Sequence, residues 1–314
     1  MQTLTFGALA APFFSEACPR LAELKAYGKI YSPRYIREQR RLLVKHILSD
    51  DELCGIPITE LKSHHAKAFC SRIIAALGLC RTSKGIIVLF KIVLKELYTQ
   101  DYTAKDLSKN IRAVKYAEQV RGALTSEEIK QFLSYSFTSV FDRAFFTTTL
   151  LCGLRLGEIT ALRWCDINFT HGLINIRQAW KDNTTLGPPK SGKARQTWLP
   201  PHVKALLAEL RASRPAADTA LIFSSPKAGH LSGTYARRHL AAALHRIGID
   251  DCKRGITFHS LRHSLKSLLT TQGLPEEMQQ QLFGWSDSSA VSMARRYTHT
   301  DPAALKFWFD KCKV

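Results

Sequence analysis

The sequence predicts a mainly helical protein in two parts. The N-terminal part is all helix, and the C-terminal part is mixed α+β, helices around one small three-stranded antiparallel sheet. Three observations carry this. The chain's 314 residues are long for one domain and comfortable for two. Apolar residues recur at helical spacing through most of both parts. Short strand-like runs separated by turn residues are concentrated after Asp166, in LINIRQAW, TTLGPPKSGKAR and QTWLP. The polar, basic stretch 100–122 lacks a sustained apolar period and marks the junction, giving a domain over 1–112, a linker over 113–123 and a second domain over 124–314.

In the first part, helical periodicity is expected over 4–17, 32–49, 58–77 and 83–99, punctuated by Gly28, Gly55-Ile56-Pro57, Gly78 and Thr82-Ser83. FGALAAPFF has no positive stretch before it and reads as the buried face of a first helix rather than a signal peptide. Ser32 is a natural N-cap with Pro33 at the first helical position. The helix they open carries Arg37, Arg40, Arg41 and Lys45 on its polar side, and the last one aligns Lys84, Lys91 and Lys95 on one face. Either basic face suits a DNA groove; a solvated surface is the alternative.

Past the linker, Thr125-Ser-Glu-Glu128 has capping-box spacing and opens a helix. Helices follow over 126–135 and 139–152, then the strand region. Pro201 begins another helix, LIFSS at 221–225 reads as a further short strand, and YARRHLAAALHRIG, FHSLRHSLKSLLTTQG and PEEMQQQLFGW read as helices. Arg237 and Arg238 lie on the first of these three.

The formal charge of +19 narrows the partner. Residues 1–122 carry 20 Lys and Arg against 11 Asp and Glu, and the remainder 25 against 15, so both parts are basic. Two basic domains in series suggest a C-shaped clamp around one polyanion, a DNA duplex. The eight cysteines form no C-x-x-C pair and have no zinc-finger spacing, which argues for free thiols in a reducing cytosol and against disulfides or structural zinc. The apolar run GIIVLF at 85–90 is too short for a bilayer. No P-loop and no acidic two-metal cluster are present, so neither a nucleotide nor a metal cofactor is expected.

Five short pieces carry the chemistry: Gly153-Leu-Arg155-Leu-Gly-Glu158, Lys190-Ser-Gly-Lys193, His259-Ser-Leu-Arg262-His263, Gly284-Trp285 and Arg296-Tyr297-Thr-His299. In this order they resemble the tyrosine recombinase (phage integrase) family over 124–314, and residues 1–112 resemble that family's helical core-binding domain more weakly. Attack on a DNA phosphodiester builds negative charge on phosphorus-bound oxygens. Planar guanidinium groups, here Arg155 and Arg262, answer that charge with paired hydrogen bonds. The resemblance implies that Glu158 holds Arg155 in place, and that Lys190 protonates the leaving oxygen. Lys193 in the same turn is the rival acid, with both lysines as mere phosphate contacts the alternative. His259 is the expected base. His263 should point elsewhere on its helix and serve packing. Trp285 stands where many members have histidine; its indole N–H can donate to a phosphate oxygen but cannot carry a proton. Tyr297 is the expected nucleophile. Arg295, Arg296 and His299 read as support or phosphate contacts. Lys193, Arg195, Arg237 and Arg238 join the basic helices as DNA contacts.

The resemblance implies cutting and rejoining of double-stranded DNA at inverted-repeat core sites, through a 3′-phosphotyrosine and a Holliday junction. The partners are a second DNA site, a homotetramer built by exchange of the C-terminal segment (Leu305, Phe307, Trp308 and Phe309), and a DNA-bending accessory protein. Without an obvious arm-binding domain, the chain resembles the simpler two-domain members of a prokaryotic cytoplasm, at the nucleoid. Trp285 and the GPPKSGKAR turn lean towards integration and excision of a phage or other mobile element. The alternatives are Xer-like resolution of chromosome dimers, a topoisomerase using the same site, and a catalytically silent DNA-binding regulator.

Overall fold

The structure, a computed structural model, describes residues 4–117, 121–182, 184–225 and 229–284. The chain divides into two compact units, residues 1–119 and 120–314. It is mainly helical with small antiparallel sheets.

The first unit holds α1 (Phe6–Ala10), α2 (Pro19–Ala26), α3 (Pro33–Leu42), α4 (Asp51–Cys54), α5 (Ser63–Leu77) and α6 (Arg81–Thr99). Its core forms where Phe6 and Phe69 meet Phe90 of α6, which also buries Ile86, Leu89, Val93 and Leu97 along one stripe. The helix expected over 4–17 stops at Ala10: Pro12 has no N–H to continue the ladder, and Phe14 takes a positive φ of 55° that turns its ring into the core. The helix α2 fills part of a stretch where none was expected. At α3 the Ser32 hydroxyl accepts the Tyr35 N–H at 3.2 Å with Pro33 at the first helical position. The helix ends at Leu42, and the next turn, Leu43–Ile47, widens to π geometry while keeping Leu43 and Ile47 buried.

The second unit is built on α8 (Val140–Cys152), of which every residue from Ala144 to Cys152 is buried. Around it lie α7 (Ser126–Ser134), α9 (Leu156–Ile159), α10 (Pro201–Ser213), α11 (Gly233–Arg246), α12 (Asp251–Arg254), α13 (Phe258–Thr271) and α14 (Glu276–Phe283). Phe145 and Phe146 of α8 pack edge-on and tilted against Phe223 and Phe258, which makes α13 part of the central core. Thr125 and Glu128 form the reciprocal cap of α7.

Strands β1 (Ile167–Asn168), β2 (Leu173–Ile176) and β5 (Arg195–Trp198) form an antiparallel sheet in the order β1-β2-β5, with Ile174 opposite Thr197. β3 (Ala179–Trp180) and β4 (Leu186–Gly187) make a separate hairpin. The run LINIRQAW is therefore two strands, broken where the Gln178 amide reaches back to the Ala161 carbonyl at 2.9 Å. LIFSS is not a strand; it contributes one isolated bridge, Leu221 to Arg163. Among the described residues, no helix is long and apolar enough to cross a membrane.

Candidate active site

The site starts at the reversal after α8. Gly153 closes that helix in the left-handed region, φ 62°, and a Cβ there would lie 2.6 Å from the Phe283 ring, so only glycine fits both the turn and the contact. The reversal makes Arg155 the N-cap of α9. Arginine offers no capping oxygen, and Glu158 at the third helical position supplies one instead, accepting the Arg155 backbone N–H at 2.9 Å. Glu158 also accepts the Arg155 guanidinium at 2.8 Å. One further residue stands tight: a Cβ on Gly157 would lie 2.3 Å from the Trp180 carbonyl oxygen, so α9 and β3 touch backbone to backbone.

A second arginine shares Glu158. Arg195, first residue of β5, donates to both carboxylate oxygens at 2.9 and 2.7 Å. With four donors the carboxylate, only 1% exposed, has its acceptor sites filled. Burial alone would raise its pKa; the hydrogen bonds and charge of Arg195 and Arg155 outweigh it and bring it down to about 2. This corrects the expectation for Arg195 as a DNA contact. Its side chain is 7% exposed, because alternation along β5 puts it on the same face as buried Thr197.

The three arginines converge on the end of α14. Arg195 Nε donates to the Leu282 carbonyl at 3.2 Å, Arg262 to the Phe283 carbonyl, and Arg155 to the Gly284 carbonyl at 3.3 Å. Three successive carbonyls at a helix C-terminus, the negative end of its dipole, are thus each met by a guanidinium. Arg262, on α13, is buried, also donates to the Gly153 carbonyl at 2.6 Å, and lies 4.9 Å over the Phe283 ring. Burial and the nearby Arg155 charge push its pKa down to about 9, which leaves it charged at neutral pH. Arg155 remains the more open of the motif arginines, 18% exposed at the side chain.

His259 lies one turn before His263 on α13, and their rings meet edge to face at 4.7 Å. His263 therefore does not point elsewhere: residues four apart share a helix face. Burial, then the His263, Arg262, Arg121 and Arg155 charges, bring the His259 pKa down to about 4, so it is neutral at pH 7. Burial and the Arg121 charge lower His263 as well. Lys190 and Lys193 are both exposed in the turn between β4 and β5, where Gly192 takes φ 76°. Trp285, Arg295, Arg296, Tyr297, His299 and the C-terminal segment lie outside the described residues.

The other basic positions separate into two groups. Arg37, Arg41, Lys45, Lys84, Lys95, Arg237 and Arg238 are exposed. Arg40 instead donates to the Ala11 and Phe13 carbonyls, and Lys91 to the Ile111 carbonyl at 3.2 Å, so these two are tied into the first unit's own backbone. Sequence reasoning missed Arg195 as a partner of Glu158 and the histidine pair. Strand alternation and four-residue helical spacing, respectively, were the available signals.

Residues 123–304 match the Phage integrase family, and the chain belongs to that family. It is similar to a tyrosine recombinase XerC from Rhodospirillum centenum, 30% identical over 185 residues that make up 58% of this chain and 49% of that one. The chain spans about half the length of the XerC relatives it matches. In fold it is similar to the Tn1549 transposon integrase in complex with a circular intermediate DNA, with a TM-score of 0.69, 17% identity and coverage of 98% of this chain and 99% of that one. A lambda integrase dimer bound to a core site gives a TM-score of 0.68 at 16% identity, covering 95% and 99%.

Proposed function

We propose that this chain is a site-specific DNA recombinase that cuts and rejoins duplex DNA through a covalent tyrosine intermediate. The observation that carries the reading is the convergence of Arg155, Arg195 and Arg262 on the last carbonyls of α14. One buried carboxylate fixes Arg155 and Arg195, and of these Arg155 keeps the larger exposed share, 18% of its side chain. Such charge, preorganised where water is scarce, stabilises a phosphoryl transition state without reorganising during the reaction.

In this reading the Tyr297 hydroxyl attacks the phosphorus and its proton passes to neutral His259. The bond from phosphorus to the 5′-oxygen breaks, and Lys190, or Lys193 in the same turn, protonates the departing oxygen. A 3′-phosphotyrosine remains, and the reverse sequence rejoins a strand, giving a Holliday junction after one exchange. Arg155 and Arg262 bind the non-bridging oxygens, and Trp285 donates one N–H. His259 is already unprotonated at neutral pH and so can accept a proton, and both lysines stand exposed in their turn.

Residues 1–112 would act as the core-binding domain, 113–123 as the linker and 124–314 as the catalytic domain, closing as a clamp on inverted-repeat core sites. The exposed cations Arg37, Arg41, Lys45, Lys84, Lys95, Arg237 and Arg238 suit phosphate contacts. A homotetramer linked by its C-terminal segments, with a DNA-bending accessory protein, would assemble the synapse in a prokaryotic cytoplasm at the nucleoid. The lambda integrase tetramer bound to a Holliday junction has the same fold. The task favoured is movement of a phage or other mobile element. The XerC relatives favour chromosome-dimer resolution as the second reading.

The test is a nicked suicide substrate carrying a site selected by the full chain from random duplex DNA. Wild type is expected to form a covalent adduct resistant to denaturant, and Tyr297→Phe none. Absence of any wild-type adduct, or an adduct with Tyr297→Phe, sinks the reading.

A further inference from the structure

The turn that carries Lys190 and Lys193 leaves β4 at Gly187 and enters β5 at Arg195. Both of its feet rest on α9, the short helix that Arg155 caps. At the first foot β4 pairs with β3, Ala179 opposite Gly187 and Trp180 opposite Leu186. The Trp180 carbonyl in turn presses on Gly157, where a Cβ would lie 2.3 Å from its oxygen. At the second foot Arg195 grips the next residue of α9, Glu158, with bonds of 2.9 and 2.7 Å. Its Nε also reaches the Leu282 carbonyl at 3.2 Å, and a Cβ on Gly284 would lie 2.8 Å from its Cδ. Between the feet Pro189 is buried and its carbonyl accepts the Gly192 N–H at 2.8 Å, while both lysines are exposed. The tether is short: Lys193 stands two residues before Arg195 and Lys190 five, which holds either Cα within about 3.5 Å per residue of that anchor.

We infer that Arg195 is a positioning residue for the proton donor of DNA cleavage: through Glu158 it fixes the lysine turn at a set distance from Arg155, the guanidinium that meets the phosphate. This role rests on the recombinase reading, with a lysine of the turn as the acid. Removing Arg195 leaves Arg155 both of its own bonds to Glu158, made across three residues of one chain segment. The turn, by contrast, loses its side-chain grip on α9 at β5. Binding the phosphate and delivering the proton are therefore separable, and Arg195 serves the second. Its planar fork meets both carboxylate oxygens at once and so fixes direction as well as distance; an ammonium in its place would keep the charge without the direction.

The experiment compares two nicked substrates, one ordinary and one with sulfur in place of the 5′-bridging oxygen of the cleaved bond. On the first, the bond from phosphorus to oxygen breaks and the departing oxygen takes its proton from the lysine. On the second, the bond from phosphorus to sulfur breaks and sulfur leaves as a thiolate, which needs no proton because a thiol ionises with a pKa of about 8.5. Arg195→Lys is expected to form adduct about 100-fold more slowly than wild type on the ordinary substrate and within about threefold of it on the sulfur substrate. The joint variant Lys190→Ala, Lys193→Ala should show the same pattern. An equal loss on both substrates in either variant, or no loss on the ordinary one, overturns the inference. Should Arg195→Lys fail to fold, two glycines inserted between Ala194 and Arg195 decide in its place. They leave the grip on Glu158 intact and lengthen the tether; the same pattern is expected, and an equal loss or no loss again overturns the inference. Limited trypsin digestion of the DNA-free full chain needs no catalysis by the protein. Cutting after Lys193, followed by mass spectrometry, should be about tenfold faster in Arg195→Lys, and an unchanged rate overturns the inference. A wild type that makes no adduct on either substrate defeats the recombinase reading, while the digestion still measures whether Arg195 holds the turn.

Discussion

The two units are both basic, yet they hold their cations in opposite ways. In the first unit Lys45, Lys84 and Lys95 stand in solvent on the outer faces of helices, while Arg40 and Lys91 are tied to backbone carbonyls. In the second, Arg195 and Arg262 are withdrawn from solvent and locked onto Glu158 and helix-terminal carbonyls. An exposed cation loses little by sitting in water and can follow a flexible polyanion. A buried one must be fixed in advance, because leaving it without partners costs several kcal/mol. Under the proposed function the contrast would separate surfaces suited to hold DNA from a site suited to act on one phosphate, and substitutions should fall into two energetic classes accordingly.

The largest effect is expected at Glu158. Glu158→Ala strips the buried partner from two guanidinium groups and should destabilise the second unit by about 3–5 kcal/mol, read from the denaturant midpoint. Glu158→Gln keeps the shape and should lose less stability. Adduct formation by Glu158→Gln should still fall by about 100-fold, the scale of a catalytic group displaced by an ångström. A Glu158→Gln protein with wild-type activity would show that the carboxylate does not set the position of Arg155.

A second, smaller effect concerns pH. The His259 pKa in the folded chain, about 4, lies below that of an ordinary histidine near 6.5. As pH falls, the unfolded chain therefore takes up this proton first. The stabilising contribution is complete above pH ~6.5 and is lost as pH drops towards 4. Glu158, brought down to about 2, acts lower: its contribution is present above the ordinary glutamate range and lost below it. Wild type should thus lose stability more steeply than His259→Gln between pH 6.5 and 4, measured from urea midpoints across that window. Equal slopes for the two proteins would mean that His259 is not held neutral by its surroundings.

What the sequence made legible follows the range over which each cause acts. Local causes were readable: Ser32 with Pro33, and the Thr125–Glu128 box, start helices where their chemistry says they should. The pairing of Arg155 with Glu158 was readable for the same reason, since three residues separate them. The helix over 4–17 failed because apolar periodicity continues through Pro12 and Phe14 although the backbone cannot. Arg195 was misassigned because it lies 37 residues from Glu158, beside two lysines in a turn that is otherwise solvent-facing. Its burial comes from β2 and β5 pairing in a register that turns it inward, a long-range fact. The carbonyls of Leu282, Phe283 and Gly284 were invisible for a simpler reason: every residue has one, and only the end of a helix makes them free acceptors.

The smallest effects belong to the first unit, and there the comparison can be sharpened between neighbouring turns, Arg40 on α3 and Lys45 on the π turn that follows it. Lys45→Ala and Lys95→Ala remove exposed charges and should leave the unfolding midpoint within error of wild type. If each neutralises one phosphate, the salt dependence of DNA binding should become shallower by about 0.9 in log–log slope per substitution. Arg40→Ala, on the same helical segment as Lys45, should do the reverse. It deletes the donor to the Ala11 and Phe13 carbonyls and should cost about 1–3 kcal/mol of stability, with little change in the salt slope. Binding isotherms at several salt concentrations beside urea curves distinguish the two outcomes. If Lys45→Ala unfolds the unit and Arg40→Ala flattens the slope, the division between holding the fold and holding the DNA has been drawn along the wrong residues.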